Sequence, residues 1–279
     1  ESSENTTIQN NSLNPLYNHA IYNNNSAQNA QIINNIIEYV GTGQWNRGIR
    51  VNNSVIEGNI IKSDSVGYIS YAISGYGNTI INNQIFVYDR GGNSGNGVIY
   101  SDGEHSIIEG NYIEYNGYID AIKGKNFSII NNQIIDKSES GYGYYAIRLE
   151  GPDDESIISG NSIYAKDDGI LISGGGLTID HNIIEAGNYA IEVSNYSRVE
   201  IINNTITGIE GNKGIWIYGD SEASIINNII SNFTDAITAD SYVSSLGYND
   251  FWANDTSFTG DGIPYLAGGI NAQNANDDD

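Results

Sequence analysis

The chain has no cysteine and no methionine, and only 3 prolines, 5 phenylalanines and 3 histidines among 279 residues. Without cysteine there is no disulfide framework and no thiolate to act as nucleophile or metal ligand. His19, His105 and His181 are scattered, with no zinc-ligand spacing, and His181 reads as a turn residue. Positive charge is also scarce: 11 Lys and Arg against 34 Asp and Glu leave a formal net charge of −23. A surface of that sign repels polyanions, so neither nucleic acid nor an anionic membrane surface is an expected partner. Apolar runs extend over a few residues, far short of the ~20 that a membrane-spanning helix needs, so no membrane insertion is expected. Helical windows rich in Ala, Leu, Glu and Lys are almost absent. The polar opening Glu1-Ser2-Ser3-Glu4, without an initiator Met, reads as a processed mature start.

What the chain has in abundance is one short phrase: Ile, any residue, usually Asn or Gly, then Asn, any residue, Ile. Its unbroken copies place the fixed residue at Asn35, Asn59, Asn83, Asn111, Asn132, Asn161, Asn182, Asn204 and Asn228, with Ile always three before and two after. Spacings of 21 to 29 residues are those of a solenoid. A degraded copy follows, with Leu246, Asn249 and Phe251 in the same roles. Between copies stands Ala or Gly followed by alternating apolar residues, as in Gly48-Ile49-Arg50-Val51, Ala146-Ile147-Arg148-Leu149 and Ala190-Ile191-Glu192-Val193. That period of two is a strand, and repeats this short, with Gly and Asn at the breaks, are β coils and not helix pairs. Each coil exposes its Ile row until a neighbour stacks on it at about 4.8 Å. The fixed Asn is expected to do two things at once: to take the left-handed conformation of the turn, and to join a ladder of stacked side-chain amides.

Phrases such as Ile129-Ile130-Asn131-Asn132-Gln133-Ile134 resemble those of the pectate-lyase-like right-handed parallel β-helix superfamily, over roughly residues 27 to 252. The stretch Gly247-Tyr248-Asn249-Asp250-Phe251-Trp252-Ala253-Asn254 is similar to the last coil of its secreted and cell-surface members. The expected fold is therefore all-β, a single-stranded right-handed parallel β-helix of about ten coils, with the handedness implied by the resemblance. One domain over residues 1–279 is expected, with 1–26 as N-terminal cap or first coil, 27–252 as repeat coils and 253–279 as C-terminal tail or cap. The same scaffold carries lyases, hydrolases, epimerases, adhesins and inert surface proteins, so the resemblance implies a fold and leaves the activity open.

Outward columns along such a rod are where a polymer would lie. The outward position of the Ala/Gly phrase reads Arg50, Ser74, Ile99, Lys123, Arg148, Leu171, Glu192, Trp216 and Thr238. Longer turns, including Arg90-Gly91-Gly92-Asn93 and Ser140-Gly141-Tyr142-Gly143-Tyr144, are placed to flank a shallow cleft floored by Tyr115, Tyr118, Asp120 and Lys123, with Arg148 one rung away. Asp120, Lys123 and Arg148 are the residue types of a uronate lyase, which needs a base and a cation at the substrate carboxylate. Asp120 and Asp168, two rungs or about 9.6 Å apart, are the pair a hydrolase would use. Asp167 and Asp168 are adjacent on a strand, point to opposite faces and cannot act on one bond. A salt-bridged, solvated sheet face explains the same residues, so no catalytic residue is favoured; Asp120, Lys123, Arg148 and Asp168 are the set if there is one. Asp153-Asp154-Glu155, Asp167-Asp168 and Asp277-Asp278-Asp279 suit weak surface calcium, and no other cofactor is expected.

Asn-x-Ser/Thr sequons begin at Asn5, Asn10, Asn24, Asn52, Asn126, Asn195, Asn203, Asn232 and Asn254. They point to glycosylation and to an extracellular, cell-surface or envelope location. The 21 tyrosines exceed what an Ile core requires, and they spread over many coils, which favours protein contacts. Together with the open sheet edges of any solenoid, these features lead to a non-enzymatic structural protein of the cell surface, a sheath or an extracellular filament. It is expected to self-assemble through β-helix ends and Tyr-rich faces. The alternatives are a polysaccharide lyase, a glycoside hydrolase, or a sugar-binding adhesin, with polysaccharide as partner.

Overall fold

The computed structural model describes residues 5–14, 19–22, 29–39, 46–65, 69–89, 97–138 and 144–262. The turns at 90–93 and 140–143, the sequon at Asn24 and the acidic run at 277–279 lie outside them. Among the described residues every regular element is a β-strand, and every strand pairing is parallel.

One coil illustrates the rest. Ser106–Glu109 forms the first side, Gly110 turns the corner, Tyr112–Asn116 forms the second side and Asp120–Gly124 the third. The chain then returns as Phe127–Ile130, with Ser106 opposite Phe127 and Ile108 opposite Ile129. The first faces of successive coils make an eleven-stranded sheet running from Thr7–Gln9 to Tyr242–Gly247. The second and third faces join into one sheet because Thr205–Ile217 and Ile229–Ala239 run unbroken through both. The chain is a parallel β-solenoid.

The interior follows directly from the repeated phrase. The isoleucines three before each fixed Asn, from Ile32 to Ile225, stack in single file, and those two after it, from Ile37 to Ile230, make a second file; nearly all are completely buried. Burial of each such side chain contributes about 1.5–3 kcal/mol, but only after the next coil covers it.

The corner between first and second faces divides the two functions expected of the fixed Asn between neighbouring residues. The left-handed residue is the one before it: Asn34, Asn82, Asn131, Asn203 and Asn227 have φ between 53° and 59°, and Gly58, Gly110 and Gly160 have φ of 63° to 65°. His181 occupies the same position with φ 54°. Glycine is required where the preceding coil's carboxamide lies across the site: a Cβ on Gly58 would stand 2.4 Å from Asn34 Oδ1, and one on Gly160 2.3 Å from Asn131 Oδ1. The fixed Asn itself points inward. Asn132 Nδ2 donates to Ile108 O at 2.8 Å, to Ile130 O at 3.0 Å and to Asn161 Oδ1 at 3.0 Å, while its Oδ1 accepts Asn111 N and Asn111 Nδ2 at 2.9 and 3.0 Å. The pattern repeats at Asn35, Asn59, Asn83, Asn111, Asn161, Asn182, Asn204 and Asn228, ending on Asn249.

Two features differ from the sequence reading. The spine begins earlier, because Asn11 Nδ2 donates to Asn35 Oδ1 at 3.1 Å; Ile8, Asn11 and Leu13 form a further copy that Leu13 in place of Ile disguises. The outward column also shifts by one residue in the coil after the 90–96 turn. Ile99 is buried opposite Ile73 and Ile122, and Tyr100 takes the outward place between Ser74 and Lys123. The variable length of the preceding turn carries no register information, so the outward place expected at Ile99 falls one residue later, at Tyr100.

Candidate functional site

The strands Asp120–Gly124, Tyr145–Glu150, Asp168–Ser173 and Tyr189–Ser194 stack on the third face. Lys123 and Arg148 are register partners on it and both point outward. Arg148 Nη2 is 2.7 Å from Glu150 Oε1, and Lys123 Nζ is 3.9 Å from Asp120 Oδ2.

The two aspartates are tied to the scaffold. Asp120 is buried and its Oδ1 accepts the main-chain N–H of Tyr145, at 3.0 Å, at the equivalent place one coil on. Asp168 does the same for Tyr189 N at 3.1 Å, and also accepts Asn188 Nδ2 at 2.9 Å. Each carboxylate thus caps the start of the next strand. Burial raises the pKa of both above the usual carboxylate range; that of Asp168 is pushed up to about 7, by burial first and then by the charge of neighbouring Asp167.

Tyr115 is not on an outward floor. It points into the core opposite Asp136, is fully buried, and among the described residues its hydroxyl has no hydrogen-bond partner. Burial and the surrounding Asp136, Asp120, Asp167 and Asp168 hold its pKa well above normal, so it is a neutral phenol. Tyr118 lies edge-on to Tyr144 at 6.0 Å. Asp136 accepts Ser138 N and Lys166 N, and burial raises its pKa as well. Sequence reasoning missed this inward acid, although its place two after Ile134 on an alternating strand carries the signal. Glu192, which the sequence places in the outward column without a role, is buried and accepts the hydroxyls of both Tyr145, at 2.7 Å, and Tyr218.

A family model described as periplasmic copper-binding protein (NosD) matches residues 76–264. The chain belongs to the NosD family. No curated protein matches. Among solved structures, bacteriophage CBA120 tailspike protein 3 is similar, with 10% identity and a TM-score of 0.40 over 96% of this chain and 51% of that one. The chain therefore spans about half the length of that tailspike.

Copper in proteins is held chiefly by thiolate, thioether and imidazole, with oxygen ligands beside nitrogen in tetragonal copper(II) sites. This NosD chain has neither of the sulfur ligands, and its three imidazoles do not converge: His19 stacks on Tyr22, His105 Nε2 bonds Ser128 Oγ, and His181 Nδ1 bonds Asp180 Oδ2. Among the described residues no three His, Cys, Asp or Glu side chains come together as a metal site. The described residues do not fit a copper centre.

The sequons fall into distinct environments. Asn126 and Asn254 have both ends of the carboxamide engaged by main chain: Asn126 with Gly103 O and Asp153 N, Asn254 with Ile230 O and Phe233 N. A glycan there would displace a scaffold hydrogen bond. Asn232 is exposed, with φ 62° within the strand Ile229–Ala239.

Proposed function

We propose that this NosD-family protein is a non-enzymatic structural component of the cell envelope or an extracellular layer, associating with copies of itself. The observation that carries this reading is the fate of Asp120 and Asp168, the acids available for chemistry on the third face. Both are buried, and each spends Oδ1 on a main-chain N–H of the next coil, so neither presents an open carboxylate to a polymer lying on this face. The family's description as periplasmic supports a place in the envelope or outside the cell.

Self-association is supported by apolar surface. The column just after the fixed Asn exposes Ile36, Ile183 and Ile229 at 42%, 60% and 47%. Tyr242, Tyr248 and Trp252 are exposed within the last coil. Among the described residues the outer edges of Thr7–Gln9 and Tyr242–Gly247 pair with no further strand of the first sheet, and unpaired parallel edges invite another chain.

Sedimentation velocity and electron microscopy of the protein are expected to show concentration-dependent assemblies, and Ile183→Lys to reduce them. A panel of polysaccharides is expected to yield no new unsaturated or reducing ends, with Lys123→Ala indistinguishable from wild type. A strictly monomeric protein, or turnover that Lys123→Ala abolishes, overturns the reading.

A further inference from the structure

The third face carries a second feature, nearer its N-terminal end and unrelated to the capping acids. Arg50 is the register partner of Ser74, and Ser74 of Tyr100. Above Ser74 the side chains of Arg50, Asn52, Tyr71, Tyr76, Tyr100 and Asp102 enclose a cleft of about 320 Å³. That is at the lower end of the ~300–1,000 Å³ range of small-molecule sites.

The lining combines three chemistries. Tyr71 and Tyr100 stack with ring centroids 4.8 Å apart and form an aromatic wall. Arg50, whose guanidinium lies 5.5 Å from the Tyr22 ring, forms no ion pair with a carboxylate among the described residues. Asp102 accepts the Tyr100 hydroxyl at 3.3 Å and Lys125 at 3.1 Å, and Asn52 Oδ1 accepts Tyr76 N at 3.2 Å. At the floor lies the deciding atom. Ser74 is buried, and among the described residues its hydroxyl has no hydrogen-bond partner. A buried hydroxyl left unpaired is destabilising, so a polar group from outside has something to satisfy there.

A pyranose ring presents an apolar C–H face and a rim of hydroxyls that each donate and accept. Its host needs a flat aromatic wall, donors such as Arg50, an acceptor such as Asp102, and a group such as Ser74 that serves as either. An acidic sugar is disfavoured by Asp102 in the lining and by the net charge of −23. We propose that this cleft binds one uncharged hexopyranose residue of a glycan, with a sugar hydroxyl bonded to Ser74 Oγ and the ring against the tyrosine wall. The inference is independent of self-assembly.

The test uses protein from a bacterial host that does not N-glycosylate, so that Asn52, itself in a sequon, carries no sugar. An array of neutral and acidic oligosaccharides is probed first, and the strongest neutral binder is then titrated by calorimetry. Retention of a neutral oligosaccharide is expected. Arg50→Ala and Ser74→Ala are each expected to weaken it about tenfold. Ser74→Ala should leave the melting temperature at or slightly above wild type, because the lost hydroxyl bonds none of the described residues. Ser63→Ala removes another buried, unpartnered serine hydroxyl away from the cleft and is expected to leave affinity unchanged. Failure to bind any neutral glycan at millimolar concentration, binding of acidic glycans alone, or a Ser74→Ala protein that binds as wild type does, each overturns the proposal.

Discussion

Replacing Asn132 with alanine is expected to lower the free energy of unfolding by about 4 kcal/mol. Its carboxamide makes five hydrogen bonds, three donated to Ile108 O, Ile130 O and Asn161 Oδ1 and two accepted from Asn111. Truncation deprives the buried amide N–H of Asn111 and two carbonyls of partners, each worth about 1–3 kcal/mol when left unpaired, and water entering the space recovers part of the loss. Asn132→Asp should be no better, because a carboxylate has no donor for the carbonyls of Ile108 and Ile130. At the last position, Asn249, the carboxamide has fewer neighbours, and the alanine variant should lose roughly half as much. Equilibrium denaturation followed by circular dichroism measures all three. A loss below about 1 kcal/mol at Asn132 would mean that solvent replaces the spine at no cost.

The second large effect is on pH dependence. The pKa of Asp168 is about 7 in the folded chain against 3.8 for a free side chain, so between these values the folded state keeps a proton that the unfolded state has released. Unfolding is then favoured as pH rises: stability falls from about pH 4 to about pH 7 and levels off above. Asp120, Asp136 and Asp167, all raised by burial, act in the same direction. The Asp168 contribution is about 2–4 kcal/mol. Asp168→Asn keeps an oxygen for Tyr189 N and Asn188 Nδ2 while removing the titration. The variant is expected to melt at a higher temperature than wild type at pH 8 and at the same temperature near pH 4. An Asp168→Asn protein that loses as much stability as wild type between those two pH values would place the titration elsewhere.

The repeated phrase made the solenoid legible because it records burial: an Ile that must face inward in every coil recurs in every coil, and so does the amide beside it. Asn11 is hidden in the sequence because Leu13 replaces the usual Ile two after it, yet Leu fills the same space. The position of Ile99 could not be read by column, because it depends on how many residues the preceding corner consumes, and corner length varies without altering the strands that flank it. Tyr115 was legible by alternation, two after inward Ile113 on the same strand. The capping by Asp120 and Asp168 was illegible for a different reason. A carboxylate at the head of a strand looks the same in sequence whether it faces solvent or turns back to an N–H one coil away. The Arg50–Tyr100 cleft was hidden by the same one-residue slip that put Ile99 where Tyr100 stands.

The asparagine spine also has a sense of direction. At every step the Nδ2 of one coil donates to the Oδ1 of the next, so the carboxamide dipoles point the same way from Asn11 to Asn249. One terminus of the row presents an acceptor and the other a donor. A copy adding at either end meets its complement only nose to tail, and two like ends brought together would set acceptor against acceptor. Any fibre built by continuing this row is vectorial, with ends that grow at different rates.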